Sequence, residues 1–148
     1  MPSSLLNQLE MTNVMLPNEH LIVGSQPSIA DLKLLKEKGV KTVVNLRPHT
    51  EANDFNEQEV VEQLSLSYCH IPVAGLNDCT LDACQSLQQI LLANEPCLIH
   101  CATGNRVGAL IALKSFWLEQ LPVEQSIEYG KQAGLTILEA GVREIISA

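Results

Sequence analysis

The hydrophobic positions of this chain alternate between short apolar runs and longer segments that have a helical repeat. Short β-branched or apolar runs predict strands at residues 13–16, 20–23, 41–46, 67–73 and 97–100. Apolar residues spaced three or four apart predict helices at residues 28–39, 55–64, 80–94, 107–119, 123–133 and 137–146. Because strands alternate with helices, we expect a three-layer α/β fold, with helices on both faces of a largely parallel sheet.

Capping and turn residues mark several of the predicted boundaries. The pair Pro17-Asn18 is typical of a turn and predicts an edge hairpin between the first two strands. Ser28 with Asp31 three residues later is typical of a helix start, and Gly39 is placed to end that helix. Thr80 is likewise placed to cap the third predicted helix.

A strand, a tight turn and an almost wholly apolar helix follow one another between Pro96 and Gly108. This order places Cys101 just beyond the carboxyl end of the strand and under the amino end of the helix. A helix start offers unpaired N–H groups and about half a positive charge. We expect this field, together with Arg106, to favour the thiolate of Cys101. Gly104 allows the turn to direct N–H groups inward.

A thiolate, inward N–H groups and a forked guanidinium together form a site for attack on a tetrahedral oxyanion. Arg47 ends another predicted strand at the same sheet edge and is either an accessory anion contact or a surface salt bridge. The residues predicted to bind phosphate are Ala102, Thr103, Gly104, Asn105, Arg106 and Arg47.

These residues resemble a known family. The run from His100-Cys101 through Gly104 to Arg106 is similar to the signature of cysteine-based protein tyrosine and dual-specificity phosphatases. The upstream blocks 24–27, 38–48 and 68–73, taken in order, most resemble the bacterial beta-lactamase-hydrolase-like family of phosphatase-like domains. The resemblance covers about residues 13 to 120, and it implies a protein tyrosine phosphatase-like fold.

The resemblance also implies an activity and its residues. Cys101 would attack a phosphomonoester to form a thiophosphate intermediate, and Arg106 would hold the phosphoryl oxygens. The resemblance places the general acid in the loop after the 67–73 strand, where Asp78 is the candidate; a turn aspartate is the alternative. It implies no metal or organic cofactor. The expected partners are a phosphorylated small molecule or a phosphoprotein, with inorganic phosphate or sulfate able to occupy the loop.

Two departures from the phosphatase signature leave alternatives open. Four residues separate Cys101 from Arg106, whereas the signature has five, and Val107 stands where those enzymes usually carry a hydroxyl. A six-residue loop is the length found in rhodanese-type sulfurtransferases, in which Cys101 would carry a persulfide. A slow or non-catalytic module that binds phosphate is the other alternative, and Val107 is its sequence hint.

Composition limits the remaining possibilities. The chain has 148 residues, enough for one domain over residues 1–148, and 46% of them are hydrophobic, as in globular proteins. Its net charge of −8 argues against nucleic-acid and anionic-membrane surfaces. There is neither a membrane-length apolar run nor a leader-like start, and the five cysteines lack framework spacing, so we expect a cytoplasmic protein. His20, His49 and His70 share no ligand spacing, so no metal site is expected.

Overall fold

The sheet has five strands, in a computed structural model that describes residues 3–147, with side chains from residue 5 onward. The strands are β1 (Met15–Asn18), β2 (Leu21–Gly24), β3 (Thr42–Asn45), β4 (Ser67–His70) and β5 (Cys97–His100). They lie in the order β1-β2-β5-β3-β4, with β1 antiparallel to β2 and every other pair parallel. The predicted edge hairpin and largely parallel sheet are therefore confirmed.

Helices cover both faces of this sheet. They are α1 (Ile29–Glu37), α2 (Glu57–Gln63), α3 (Leu81–Leu92), α4 (Asn105–Trp117), α5 (Val123–Gln132) and α6 (Glu139–Ser147). Short 3-10 segments lie at Ser3–Asn7 and Leu76–Asp78. No helix in residues 3–147 is long and apolar enough to cross a membrane.

Successive side chains of the central strand enter two different cores. Ile99 packs in a core with residues of α3 to α6, whereas Leu98 packs in a core with residues of α1 and α2. This alternation is the period of two that a strand imposes. The predicted three-layer α/β class is confirmed.

The first strand differs from the sequence prediction. Pro17 and Asn18 belong to β1, and the turn falls at Glu19 and His20 instead. Proline is tolerated because β1 is an edge strand, where a missing N–H leaves no central ladder broken. The Asn18 side chain then forms the turn by accepting the N–H of His20 at 2.8 Å.

The predicted helix boundaries rest on observed caps. Ser28 accepts the N–H of Asp31 and the Asp31 carboxylate accepts the N–H of Ser28, which completes a capping box. Thr80 accepts the N–H of Ala83 at 3.2 Å. Gly39 ends α1 with a φ of 101°.

Helix α4 lies in the middle of the molecule. Nine consecutive residues, from Val107 to Ser115, are buried, because α4 packs against the sheet and against α3, α5 and α6. The strands β2, β3 and β5 are parallel, so their carboxyl ends open at one edge, where the loop leading into α4 begins. This arrangement brings the segments after three strands together around Cys101.

The contact between α4 and α5 depends on glycine. A Cβ on Gly108 would lie 2.1 Å from the Leu135 nitrogen and 2.7 Å from the Gly130 oxygen. Those atoms are backbone atoms, which cannot rotate away as a flexible side chain can. The start of α4 is thereby held closely against the segment that follows α5.

We expect Gly108→Ala to lower the free energy of unfolding by at least about 2 kcal/mol, because the added methyl group must push two backbones apart. Urea unfolding followed by circular dichroism measures the change. Gly75→Ala is the matched control, since a Cβ there meets no atom within 4 Å and its φ of −168° suits any residue. Equal stability of the two variants would contradict the close contact.

Candidate active site

Cys101 directly follows β5 and is fully buried. Its sulfur accepts the backbone N–H of Gly104 at 3.0 Å. Gly104 is the N-cap of α4 and has a φ of 91°, a conformation that glycine adopts without strain. The loop therefore turns at Gly104 so that an N–H at the helix start points at the sulfur.

The rest of the loop is anchored by Asn105. Its side-chain oxygen accepts the backbone N–H of Thr136 at 2.8 Å and that of Leu138 at 3.3 Å. Ala102 and Thr103 are exposed at the tip of the loop. The Asn105 side chain thus ties the loop to the segment between α5 and α6.

Arg106 is held by partners on one side of its guanidinium. Nη1 donates to Glu51 Oε2 at 2.6 Å and to the Val73 carbonyl at 2.7 Å, and Nη2 donates to Glu51 Oε1 at 2.9 Å. An arginine has five N–H donors. These three bonds leave the N–H of Nε and one N–H of Nη2, which are adjacent and parallel.

Arg106 lies close enough to Cys101 for the two side chains to interact. Its interaction with Cys101 is one of the effects that raise the pKa of Arg106, after the larger effect of the hydrogen bond with Glu51. Two parallel N–H groups match two oxygens of a phosphoryl group. Glu51 therefore does not occupy the edge formed by Nε and Nη2, which is predicted to bind an anion; it fixes the adjacent edge formed by Nη1 and Nη2.

Glu51 is shared between two arginines. Besides Arg106, it accepts from Nε of Arg47 at 3.2 Å. The hydrogen bond from Arg106 is the main cause that lowers the pKa of Glu51 below its ordinary value of 4.5, although burial opposes the shift. The carboxylate is thus kept charged between two cations.

Arg47 lies near the loop, as its position after β3 predicted. Its other donors go to Gln26 Oε1 at 2.5 Å and to the Ala52 carbonyl at 2.6 Å. The salt-bridge alternative is therefore observed, but in a largely buried form, because the Arg47 side chain is only 14% exposed. Its direct contact with an anion stays a prediction.

Asp78 is exposed and lies in the short 3-10 segment after β4. Its carboxylate accepts the N–H of Ala74 at 2.8 Å, which fixes it as a turn residue. The following residue, Cys79, has a pKa raised to about 11 by burial and then by the nearby charge of Asp78, with smaller effects from Arg106 and Cys101. The Asp78 segment thus runs beside the loop, and a role in proton transfer stays a prediction.

Sequence reasoning missed three polar residues around the loop. Glu51, Gln26 and Glu57 all contact side chains that the sequence analysis had singled out. Glu57 Oε2 lies 2.6 Å from Nε2 of His100, and both side chains are almost completely buried. A buried carboxylate requires partners, so Glu57 would have been a candidate had its burial been known. Among the residues described, no group of three or more His, Cys, Asp or Glu side chains could hold a metal ion.

The shared carboxylate gives a pH-dependent prediction. A pKa lowered by folding contributes stability that is present above the ordinary value and is lost as the pH falls through the folded value. We therefore expect Glu51→Gln to be less stable than wild type by about 1–3 kcal/mol above pH 4.5, and the gap to shrink below it. Urea unfolding across pH 3 to 7 measures this gap. The exposed Glu62→Gln should show no such gap, and a gap for Glu51→Gln that is constant with pH would contradict the assignment.

Comparison with known proteins identifies sequence relatives. Residues 7–142 match the family described as a DSP-PTPase phosphatase fused to NAD+ kinase. A beta-lactamase hydrolase-like protein of Agrobacterium fabrum is 28% identical over 127 residues, which cover 83% of this chain and 30% of the relative. A protein of the same name from Xylella fastidiosa is 31% identical over 102 residues, 65% of this chain and 23% of the relative. The chain thus spans less than a third of the length of these relatives.

Solved structures share the fold at low identity. A Neisseria meningitidis protein is 23% identical, with a TM-score of 0.70 over 90% of this chain and 98% of that one. The core catalytic domain of the S. cerevisiae PP-IP phosphatase SIW14, solved with citrate, is 21% identical, with a TM-score of 0.66 over 93% and 92% of the two chains. The predicted resemblance is confirmed: this chain belongs to the DSP-PTPase phosphatase family that its match over residues 7–142 defines.

Proposed function

We propose that this chain is a cysteine-dependent phosphatase that hydrolyses phosphomonoesters through a thiophosphate on Cys101. The observation that carries the proposal is the hydrogen bond from the Gly104 N–H to the Cys101 sulfur at the start of α4. It combines a nucleophile, an amide donor and the positive end of a helix dipole in one place. Family membership supports the same class of reaction.

The first chemical step forms a bond between sulfur and phosphorus. The Cys101 thiolate attacks phosphorus in line, and the bond from phosphorus to the ester oxygen breaks. Asp78 gives its proton to the departing oxygen, so the alcohol leaves as a neutral molecule. The free edge of Arg106 and the loop amides from Ala102 to Asn105 hold the phosphoryl oxygens while their charge is redistributed.

The second step restores the enzyme. Water gives a proton to the Asp78 carboxylate and attacks phosphorus, the bond between sulfur and phosphorus breaks, and the electron pair returns to Cys101 as a thiolate. Inorganic phosphate is released. No metal or organic cofactor takes part in the proposed sequence.

The alternatives drawn from loop length and from Val107 receive different support. Family membership gives no support to sulfur transfer. The Arg106 edge fits paired oxygens and has no counterpart in the single terminal sulfur of a persulfide. Val107 is fully buried in the same core as Cys101. Because valine has no hydroxyl, this position gives no assistance to the leaving thiolate. Slow breakdown of the thiophosphate is therefore the alternative that the assay below must test.

The proposed substrate carries a single phosphate on a small molecule or a protein. Arg47 and Arg106 share Glu51, so the two arginines present one net positive charge among the three side chains. The chain as a whole has a net charge of −8, which disfavours nucleic acids and anionic membranes as partners and fits our cytoplasmic assignment. A phosphomonoester in a local positive site satisfies both constraints.

Hydrolysis of 4-nitrophenyl phosphate tests the proposal. We expect wild type to release phosphate, Cys101→Ser to be at least about 10³-fold slower and Arg106→Lys about 10²-fold slower, because a nucleophile or a charged fork is lost. A parallel assay with thiosulfate and cyanide measures sulfur transfer. Formation of thiocyanate by wild type and by Arg106→Ala, with no phosphate release from any aryl ester, would establish the sulfurtransferase alternative. A single burst of nitrophenol without turnover would establish the slow module.

The leaving group distinguishes a general acid from a turn aspartate at position 78. Phenolate needs a proton to depart more than 4-nitrophenolate does, so we expect Asp78→Asn to lower kcat/KM about 10²-fold for phenyl phosphate and much less for 4-nitrophenyl phosphate. Asp82→Asn, in the first turn of α3, is the matched control and should leave both rates unchanged. Equal losses for the two esters would assign Asp78 a purely structural role.

A further inference from the structure

Six side chains form a continuous series of hydrogen bonds around the candidate loop. His100 Nε2 lies 2.6 Å from Glu57 Oε2, Gln26 Nε2 donates to Glu57 Oε1 at 2.7 Å, and Arg47 Nη1 donates to Gln26 Oε1 at 2.5 Å. Arg47 Nε then donates to Glu51 Oε1 at 3.2 Å, and Glu51 binds Arg106 through two bonds of 2.6 and 2.9 Å. The series, called here the loop brace, is His100, Glu57, Gln26, Arg47, Glu51 and Arg106.

The loop brace joins the two ends of the loop that carries Cys101. His100 immediately precedes Cys101, and Arg106 is the last residue of the six-residue loop. The backbone from His100 to Arg106 therefore closes the side-chain series into a ring. In a closed ring, neither end of the loop can move without breaking or displacing a bond elsewhere in the brace.

Gln26 is the neutral member that joins the two charged halves. On one side of it are the buried carboxylate of Glu57 and His100; on the other are Arg47, Glu51 and Arg106. Both N–H groups of the carboxamide are used, one by Glu57 and one by the Pro27 carbonyl at 3.0 Å, and its oxygen accepts from Arg47. Only one orientation of the carboxamide satisfies a carboxylate and a guanidinium together.

We propose that Gln26 is a positioning residue for the phosphatase site, which joins the His100–Glu57 pair to Arg106 and so holds Cys101 and the free edge of Arg106 in register. The proposal rests on the proposed function and extends it to a residue that touches neither the nucleophile nor the phosphoryl group. Its action is mechanical: a displaced brace changes the distance between the sulfur and the guanidinium edge that must meet on one phosphorus atom.

Gln26→Glu removes this function with little change in size. The introduced carboxylate still accepts from Arg47, but it cannot donate to Glu57 and would face the Glu57 carboxylate across the present 2.7 Å contact. We expect kcat for 4-nitrophenyl phosphate to fall about tenfold, which corresponds to about 1.4 kcal/mol of transition-state stabilisation. We expect KM to change less than about threefold, because Arg106 still binds the ground state.

Gln63→Glu is the matched control. Gln63 also donates to a glutamate, Glu59, at 3.4 Å, but this pair is exposed on α2 outside the brace. The same chemical change there should leave kcat and KM at wild-type values. Gln26→Ala removes the link without adding charge, so we expect it to lower kcat in the same way. It replaces Gln26→Glu in the test if the glutamate variant does not fold.

The exchange Gln26→Glu with Glu57→Gln tests the connection between the two residues. The exchanged pair keeps the net charge and reverses the direction of the hydrogen bond, while the new carboxamide oxygen still accepts from His100; the bond from residue 26 to the Pro27 carbonyl is not restored. We expect the double variant to recover kcat to within about threefold of wild type, a coupling that residues acting independently do not show. Thermal unfolding of all variants separates lost stability from lost turnover of folded protein.

Alkylation of Cys101 by iodoacetamide and binding of tungstate provide readouts that do not require turnover. Alkylation should slow in Gln26→Glu and recover in the exchanged variant, whereas tungstate, which Arg106 still binds, should keep its affinity to within about threefold. Wild-type kcat in Gln26→Glu and Gln26→Ala, or a double variant no better than the worse single variant, would overturn the positioning role. If wild type hydrolyses no phosphoester, the proposed function fails, whereas alkylation and tungstate binding still decide whether Gln26 positions the loop.

Discussion

The start of helix α4 is the constraint on which the rest of the structure depends. Because residues Val107 to Ser115 are buried, the helix begins inside the protein, where its first N–H groups need partners. The sulfur of Cys101 accepts one of them, from Gly104. The packing that stabilises the fold and the N–H group that contacts the Cys101 sulfur therefore belong to the same helix start, held in place by the glycine contact between α4 and α5.

Burial also explains why the charged side chains around the loop are paired. Arg106 lies close to Cys101 with its side chain 12% exposed, and an unpaired cation there would be costly. Glu51 compensates one charge and, by occupying one edge of the guanidinium, decides which edge remains for a substrate. Arg47 also binds Glu51, so the three side chains together carry one net positive charge. In the proposed function, this net charge would attract an anion while Glu51 keeps the two guanidinium groups in place.

Sequence patterns could predict what depends on local spacing. The alternation of strands and helices, the caps at Ser28 and Thr80 and the position of Cys101 before α4 all follow from residues that are neighbours in the chain. The turn at Pro17 was assigned wrongly because proline and asparagine are typical turn residues, whereas an edge strand also tolerates proline and extends here through Asn18. The local pattern predicted the edge hairpin but not the residue at which its first strand ends.

The loop brace could not be predicted from the sequence for a different reason. Its bonds join residues that are 21 to 55 positions apart, except for the pair Arg47 and Glu51. Side chains at such separations have no periodicity in sequence, and a glutamine or glutamate among many polar residues carries no signal of burial. Gln26 stood within a block that carried the family resemblance, yet only the structure reveals the two partners that make its carboxamide necessary.

The structure shows which N–H donors accompany the short loop. With four residues between Cys101 and Arg106, the loop has one amide fewer than the phosphatase signature provides. However, α4 begins at Asn105, so Arg106 lies within its first turn, and the first intrahelical bond between main-chain atoms runs from Gly108 to Gly104. The N–H groups of Arg106 and Val107 therefore have no acceptor within the helix. In the proposed reaction, these N–H groups at the helix start would supply donors that a longer loop would otherwise provide.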